Sequence, residues 1–393
     1  MEERGQRSNR RLVLVACPYQ GHITPMLNLA SLLHSKGFSI VIAHTQFNHP
    51  HPSGFPNFTF APIPNCLPKD FLSSGDAAAI FASLNTNCEG PLRQLLSDMM
   101  AQDEATESKI SCVIYDTLMY CADAAAHYMK LPSMALRTSS IGTQLIFSEL
   151  PWLRREGYFP PKDHSSKDPV PGAYPLRCKD LPLFNGDPEP MMRVIAMMLD
   201  IKTSSAILWN TVDCLEKQLS DQVQKKCHVP FFSLGPLHKV APASPTSILE
   251  EETDCLLWLD KQANNSVIYV SLGSLASMDE REFAETAWGL ANSGQPFLWA
   301  VRLARSRARN GSSCCRRIQR SHRRYWPCCE MGSTEGCFST PCRGRLLDPL
   351  WMEFNLGKHF RRSPDDMPTV LHGPECERKV LVPRLEGGIG VGG

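Results

Sequence analysis

Two side chains have both the type and the setting for proton-transfer chemistry. His22 follows a buried-strand run, RLVLVAC, that stops at Pro18 and passes through a Gly-containing turn. The helix after it is expected to open near Thr24 and Pro25, with the threonine as N-cap and the proline in the first helical position. Asp116 ends a second buried run, SCVIYD. Open α/β sheets hold ligands and catalytic groups at the C-terminal ends of their strands. A carboxylate reaching from there to the imidazole would fix its tautomer and stabilise the imidazolium once the ring takes a proton. Each residue also has a plainer reading. A loop histidine can be solvated and idle, and an aspartate ahead of a helix can simply cap it. A third feature is SLGS, around Gly273 and Ser274, a strand-to-helix turn whose amides suit a phosphate. Gly-Ser turns also close many ordinary β-α connections.

The elements that must position these groups alternate in type. ITPMLNLASLLHSKG reads as an amphipathic helix ending at Gly37, and FSIVIAHT as the next buried strand, which favours a parallel sheet with right-handed crossovers. Residues 46–75 are loop-like, with one short strand, FTFAPI. His49 and His51 fall there, with His44 just before them, but a proline separates the first two and no acidic or cysteine partner lies near, so no metal site is expected. After SCVIYD come a helix, TLMYCADAAAHYMK, and a strand, LPSMALRTSS. Residues 145–190 are Pro-rich and aromatic with little periodicity, as in the walls of a cleft. MMRVIAMMLDIKTS is a Met-rich helix suited to a core. SSAILWNT and FFSLGPL are strands, and HKVAPASPTSILEEET reads as a linker. A short helix, DCLLWLDKQ, and a strand–turn–helix–strand run to PFLWAVR begin a second unit. The expected layout is a flexible 1–10, a Rossmann-like domain over 11–236, a linker over 237–250, and the start of a second domain over 251–302.

Composition narrows the function classes. A chain of 393 residues suggests two to three domains at about 150 residues each. The formal net charge of +1 argues against nucleic acid as the main partner. MEERGQRSNRR is polar and leads straight into a strand, so no secretory signal is expected. No apolar run approaches the ~18 residues of a membrane span. Of sixteen cysteines, those ahead of Arg302 are scattered, which suggests free thiols in a reducing cytosol and a cytoplasmic protein.

PYQGHITPM, the VIYD strand, LWLDKQ with SVIYVSLGS, and PFLWAVR together resemble the plant secondary-metabolite UDP-glycosyltransferases over residues 11–302. The resemblance implies an inverting enzyme of the GT-B type, with an acceptor-binding N-terminal domain and a nucleotide-sugar-binding C-terminal one. It implies His22 as the base that deprotonates an acceptor hydroxyl and Asp116 as its activating partner. Thr138 would touch the donor sugar, and Ser274, beside Gly273, the diphosphate. The implied co-substrate is a UDP-sugar, UDP-glucose by preference, with no cofactor and no metal. The acceptor would be a small hydroxylated metabolite such as a flavonoid, and the enzyme a monomer.

The family's C-terminal donor box, WAPQ…HCGWNS…E…DQ, is not found after Arg302. Residues 303–393 are instead rich in Arg and Cys and without helix or strand periodicity. Cys314, Cys315, Cys328, Cys329, Cys337, Cys342 and Cys376 cluster there, but without CxxC spacing they do not make a zinc module. The tail's basic stretches lack the aromatic interleaving and module signature of a nucleic-acid binder. Codons can be chosen for LDPLWMEFNLGKHF that, read one base later, give WTHCGWNSTLESI. The same offset turns CEMGSTEG into VKWAPQK and FSTPCRGRLL into LAHPAVGGF. The box thus reads as written out of frame from a point between Arg302 and Cys315, with 303–393 an aberrant, disordered tail.

The fold class expected is therefore α/β, with two Rossmann-like domains of which the second is incomplete or disrupted. The function expected is UDP-sugar-dependent glucosyl transfer to a metabolite hydroxyl. The alternative is an inactive pseudogene product keeping only the acceptor half. A Rossmann oxidoreductase is disfavoured, because CPYQGH has no GxGxxG. A truncated second domain should also leave Val267 to Val270 and Phe297 to Val301 with uncovered apolar faces and a tendency to aggregate.

Overall fold

The computed structural model describes residues 10–50, 52–64, 76–103, 109–163, 166–171, 177–184, 187–201, 203–227, 229–242, 258–264, 266–271, 280–301 and 328–330. Seven strands form one sheet: β1 (Arg10–Val15), β2 (Ser39–Thr45), β3 (Thr59–Ile63), β4 (Lys109–Asp116), β5 (Ser133–Arg137), β6 (Ala206–Trp209) and β7 (Phe231–Ser233). Their order is β3-β2-β1-β4-β5-β6-β7, and every described pairing is parallel. Parallel sheets are covered on both faces, and alternate strand residues must therefore all be apolar. Val13, Val15, Val113, Tyr115, Ala135, Ile207 and Trp209 enter one core. Leu12, Leu14, Ile40, Ile42, Cys112, Ile114, Leu136 and Leu208 enter the other.

Helices α1 (Gln20–Ser35), α2 (Ala77–Asp103), α3 (Cys121–Tyr128), α4 (Ile141–Arg155), α5 (Glu189–Leu199), α6 (Asp213–Lys226) and α7 (Leu237–Val240) complete this part. The long helix α2, over a segment without a sequence-based expectation, covers its sheet face with Ile80, Phe81, Leu84, Cys88, Leu92 and Leu96, an i, i+3/i+4 stripe. Helix α4 departs from expectation and occupies the front of the expected cleft-wall loop. Ser140 caps it, accepting from Thr143 N at 3.2 Å, and Ile141, Leu145, Leu150 and Leu153 are buried along one side. Pro151 lies inside α4 and reads as a breaker, yet the helix runs through it despite the lost hydrogen bond and the crowding of the carbonyl four residues back. Residues 237–240, expected to begin the linker, form α7 instead. Leu237 is buried in the core on the α1 side and its N–H donates to Asn210 Oδ1 at 3.0 Å.

The second unit contributes β8 (Ile268–Ser271), α8 (Glu280–Asn292), β9 (Phe297–Val301) and β10 (Cys328–Glu330). These strands form a parallel three-stranded sheet in the order β10-β9-β8. The uncovered faces expected here are not found. Phe297 and Trp299 are buried with Phe283 and Ala287 of α8, Ile268 and Val270 pack against the same cluster, and the Phe283 and Trp299 rings are stacked 4.7 Å apart. Val267, Tyr269 and Leu298 are buried as well. The tail, expected to be disordered throughout, supplies β10, whose residues pair with Trp299 to Val301. Its other residues, like residues 1–9, lie outside the described part.

Six described cysteines are free thiols, namely Cys17, Cys112, Cys121, Cys178, Cys214 and Cys227. Cys88 is disulfide-bonded, against the expectation of free thiols throughout. Among the described residues, no helix is long and apolar enough to cross a membrane.

Candidate active site

The strand order reverses direction between β1 and β4, and such a reversal opens a crevice at the carboxyl ends of the two strands. Val15 pairs with Tyr115 across this boundary, so the chain leaves both strands at the same level. Beyond β1, the Tyr19 N–H donates to Cys17 O at 2.8 Å and closes a tight turn at Pro18. Tyr19 is extended and acts as N-cap, its carbonyl accepting from His22 N and Ile23 N at 2.9 Å each. Helix α1 thus begins at Gln20, four residues before the expected start at Thr24. Pro25 falls at the sixth helical position, where it forgoes its own bond to Gly21 and crowds that carbonyl. The consequence is that His22 sits in the first turn of a helix and is oriented by it.

Asp116 is the last residue of β4 and is fully buried. Its Oδ2 lies 2.8 Å from His22 Nδ1, and its Oδ1 accepts from Leu118 N at 2.9 Å, which caps the 3₁₀ turn Thr117–Met119. Capping and pairing, weighed as alternatives from sequence, are thus both made, one by each oxygen. A carboxylate only accepts, so Nδ1 carries the ring proton and Nε2 holds the lone pair. The His22 side chain is 22% exposed against 1% for Asp116, so the ring lies between a buried anion and solvent. Thr138, just past β5, brings Oγ1 to 3.2 Å from the same Nδ1. The structure therefore gathers His22, Asp116 and Thr138 from three neighbouring strand ends. Gly273 and Ser274 lie outside the described residues.

Cys17 is a neighbour that the sequence reading did not single out. The donor atoms of Cys17, His22 and Asp116 lie within 4.8 Å of one another. Burial, and then the adjacent Asp116, push the Cys17 thiol well above its ordinary value. It is therefore held as a neutral thiol, while Nδ1 and Oδ2 are engaged with each other, a donor set poorly suited to a metal.

No family model matches the chain. UDP-glycosyltransferase 76E1 of Solanum lycopersicum is 46% identical over 296 residues, which are 74% of this chain and 61% of that protein. UDP-glycosyltransferase 76E9 of Arabidopsis thaliana is 40% identical over 308 residues, 77% of this chain and 68% of that protein. The chain belongs to the plant UDP-glycosyltransferase family. It spans about 61–68% of the length of these two relatives. Solved structures share the fold. Phytolacca americana UGT2, complexed with UDP-2fluoro-glucose and pterostilbene, has a TM-score of 0.67 at 20% identity, covering 88% of this chain and 77% of that one. Medicago truncatula UGT71G1, complexed with UDP-glucose, has a TM-score of 0.63 at 20% identity, covering 86% and 75%.

Two further side chains brace this site, and neither was legible from spacing. Glu216 of α6 accepts from Ile141 N at 3.1 Å, Gly142 N at 3.3 Å and the Thr211 hydroxyl. It fills the N-terminal end of α4 and so fixes the segment carrying Thr138. Asn85 of α2 bonds to both sides of the turn after Asp116. Side chains paired across 75 or 36 positions leave no local pattern to find.

Proposed function

We propose that this UDP-glycosyltransferase lineage catalyses inverting transfer of a sugar, glucose by preference, from its UDP conjugate to a hydroxyl of a small metabolite. The observation carrying this reading is the 2.8 Å contact between His22 Nδ1 and the buried Asp116 carboxylate. With the proton on Nδ1, His22 Nε2 removes the acceptor O–H proton as the oxygen attacks the anomeric carbon. The bond from that carbon to the diphosphate oxygen breaks, UDP leaves with the electron pair, and the centre inverts. Asp116 stabilises the imidazolium so formed. Thr138 faces the donor sugar, and Gly273 and Ser274 receive the diphosphate at a helix start.

A flavonol-like acceptor is supported by the name of one relative, Flavonol 3-O-glucosyltransferase UGT76E12 of Arabidopsis thaliana, 41% identical over 310 residues. Pterostilbene and indoxyl, named for two solved structures of the same fold, are likewise hydroxylated aromatics. We place the enzyme in the cytoplasm, as a monomer. Incubation with UDP-glucose and a flavonol tests the reading in a version carrying the donor box in frame. Formation of a β-linked glucoside supports it, and turnover unaffected by His22→Ala overturns the base assignment.

A second reading rests on the tail. The offset of one base that restores WTHCGWNSTLESI from residues 347–360 supports a chain whose donor half is out of frame, leaving an acceptor-binding protein without transfer activity. Sequencing the transcript across codons 300–316, together with an assay of the chain as written, tests it. An unshifted transcript whose product forms glucoside sinks this reading.

A further inference from the structure

Asn85 is a poor helix former in the middle of α2, because its amide competes with the backbone for hydrogen bonds. Here it is 4% exposed, and both ends of its amide are engaged. Nδ2 donates to Phe81 O, one turn back, at 2.9 Å, and to Leu118 O at 2.8 Å. Oδ1 accepts from Cys121 N at 2.8 Å. Cys121 opens α3, whose N-cap Tyr120 makes no side-chain cap bond. Its N–H is one of the amides a helix start leaves unsatisfied, and Asn85 supplies the cap from another helix. The turn between β4 and α3 is therefore fastened on both sides. Leu118 is held at its carbonyl by Asn85 and at its N–H by Asp116 Oδ1, while Asp116 Oδ2 faces His22.

The geometry points to Asn85 as a positioning residue, which fixes the Asp116 carboxylate against His22 by clamping the turn that Asp116 caps. The inference rests on the His22–Asp116 reading above. The relay is short, with Asp116, Asn85 and Cys121 buried along it: His22, Asp116, the Leu118 peptide, Asn85, Cys121. An apolar residue at 85 would leave the Leu118 carbonyl and the Cys121 N–H without a partner inside the core. The turn would then shift to find new ones, taking Asp116 with it. Among the described residues, Asp116 from β4 and Cys17 after β1 bring ligand atoms within 4.8 Å of those of His22.

The test follows the hydrogen-bonded Nδ1–H of His22 by NMR in the full chain with ¹⁵N-labelled histidine at neutral pH, beside thermal unfolding. Four proteins are compared: wild type, Asn85→Ala, the isosteric Asn85→Asp and Asp116→Asn. Asn85→Asp keeps an acceptor for Cys121 but turns an oxygen on the Leu118 carbonyl, and it serves alone if Asn85→Ala does not fold. The expected result is an upfield shift of the Nδ1–H signal in either Asn85 variant, with about tenfold faster exchange with water. In Asp116→Asn the same change is larger. Earlier melting of the Asn85 variants with that signal unmoved overturns the positioning role and leaves the His22–Asp116 pair standing. An unmoved signal in Asp116→Asn overturns the pair itself.

Discussion

His22 and Asp116 are separated by 94 positions in the chain, and their Nδ1 and Oδ2 atoms are 2.8 Å apart. The first belongs to a helix start after β1 and the second to the end of β4, and only the parallel pairing of those strands brings them level. In an enzyme with its donor box in frame, His22→Ala should lower kcat by about 10²–10⁴-fold, the usual worth of a positioned base. UDP binding, measured by calorimetry, should stay within error. Asp116→Asn should also lower kcat steeply, because with its one oxygen kept on the Leu118 cap its amide N–H₂ faces His22 Nδ1 and favours the wrong tautomer. If both variants bind UDP and turn over like wild type, the pair has no catalytic part.

Buried thiols should make the fold sensitive to alkali. Burial raises Cys112 from the ordinary value of 9.0 to about 12, and raises Cys121 to about 12 as well. Between those values the unfolded chain has lost the proton while the folded chain keeps it, so raising the pH favours unfolding. Each thiol contributes stability that is whole below pH 9 and falls by about 1.4 kcal/mol per pH unit up to its folded value. Urea midpoints taken from pH 8 to 11 should drop steeply above 9 and flatten in a Cys112→Ala, Cys121→Ala double variant. An equal slope in the two proteins counts against this.

Arg137 is 1% exposed and holds its charge at a disadvantage. Its Nη2 donates to Met198 O at 3.2 Å and its guanidinium lies 5.6 Å from the Trp209 ring centroid. Nε and Nη1 have no hydrogen-bond partner among the described residues. Burial lowers it from 12.5 to about 10. An apolar side chain of similar length avoids that desolvation, so Arg137→Met should stabilise the fold by about 1–2 kcal/mol. Chemical denaturation decides the point, and a loss of stability would show that the guanidinium is better satisfied than its contacts indicate.

Gly235 follows β7 where the chain passes against the end of β6. A Cβ there would stand 2.6 Å from Thr211 N and 2.8 Å from the Asn210 carbonyl carbon, both backbone atoms with no rotamer to yield. Gly235→Ala should therefore cost about 1–3 kcal/mol through overpacking. Gly289, with nothing within 4 Å of its Cβ position, is the matched control: Gly289→Ala in α8 should be neutral or stabilising. Equal melting temperatures for the two variants would contradict the contrast.

What the sequence determined by itself was local. Apolar runs such as RLVLVAC and SCVIYD, and the residues that stop them, are enough to place His22 and Asp116 each at a strand end, because strand formation in a buried parallel sheet depends on the residues of the strand itself. Helix boundaries were less legible. Pro25 and Pro151 look like starts or stops in the chain, yet each costs a hydrogen bond and a crowded carbonyl, which the packing of α1 and α4 outweighs. Only the tertiary structure decided that β1 lies beside β4, so that the histidine meets its carboxylate. It also decided that Asn85 would clamp the intervening turn and Glu216 the start of α4. Those contacts join residues far apart in the chain, and no local propensity encodes the order in which strands assemble.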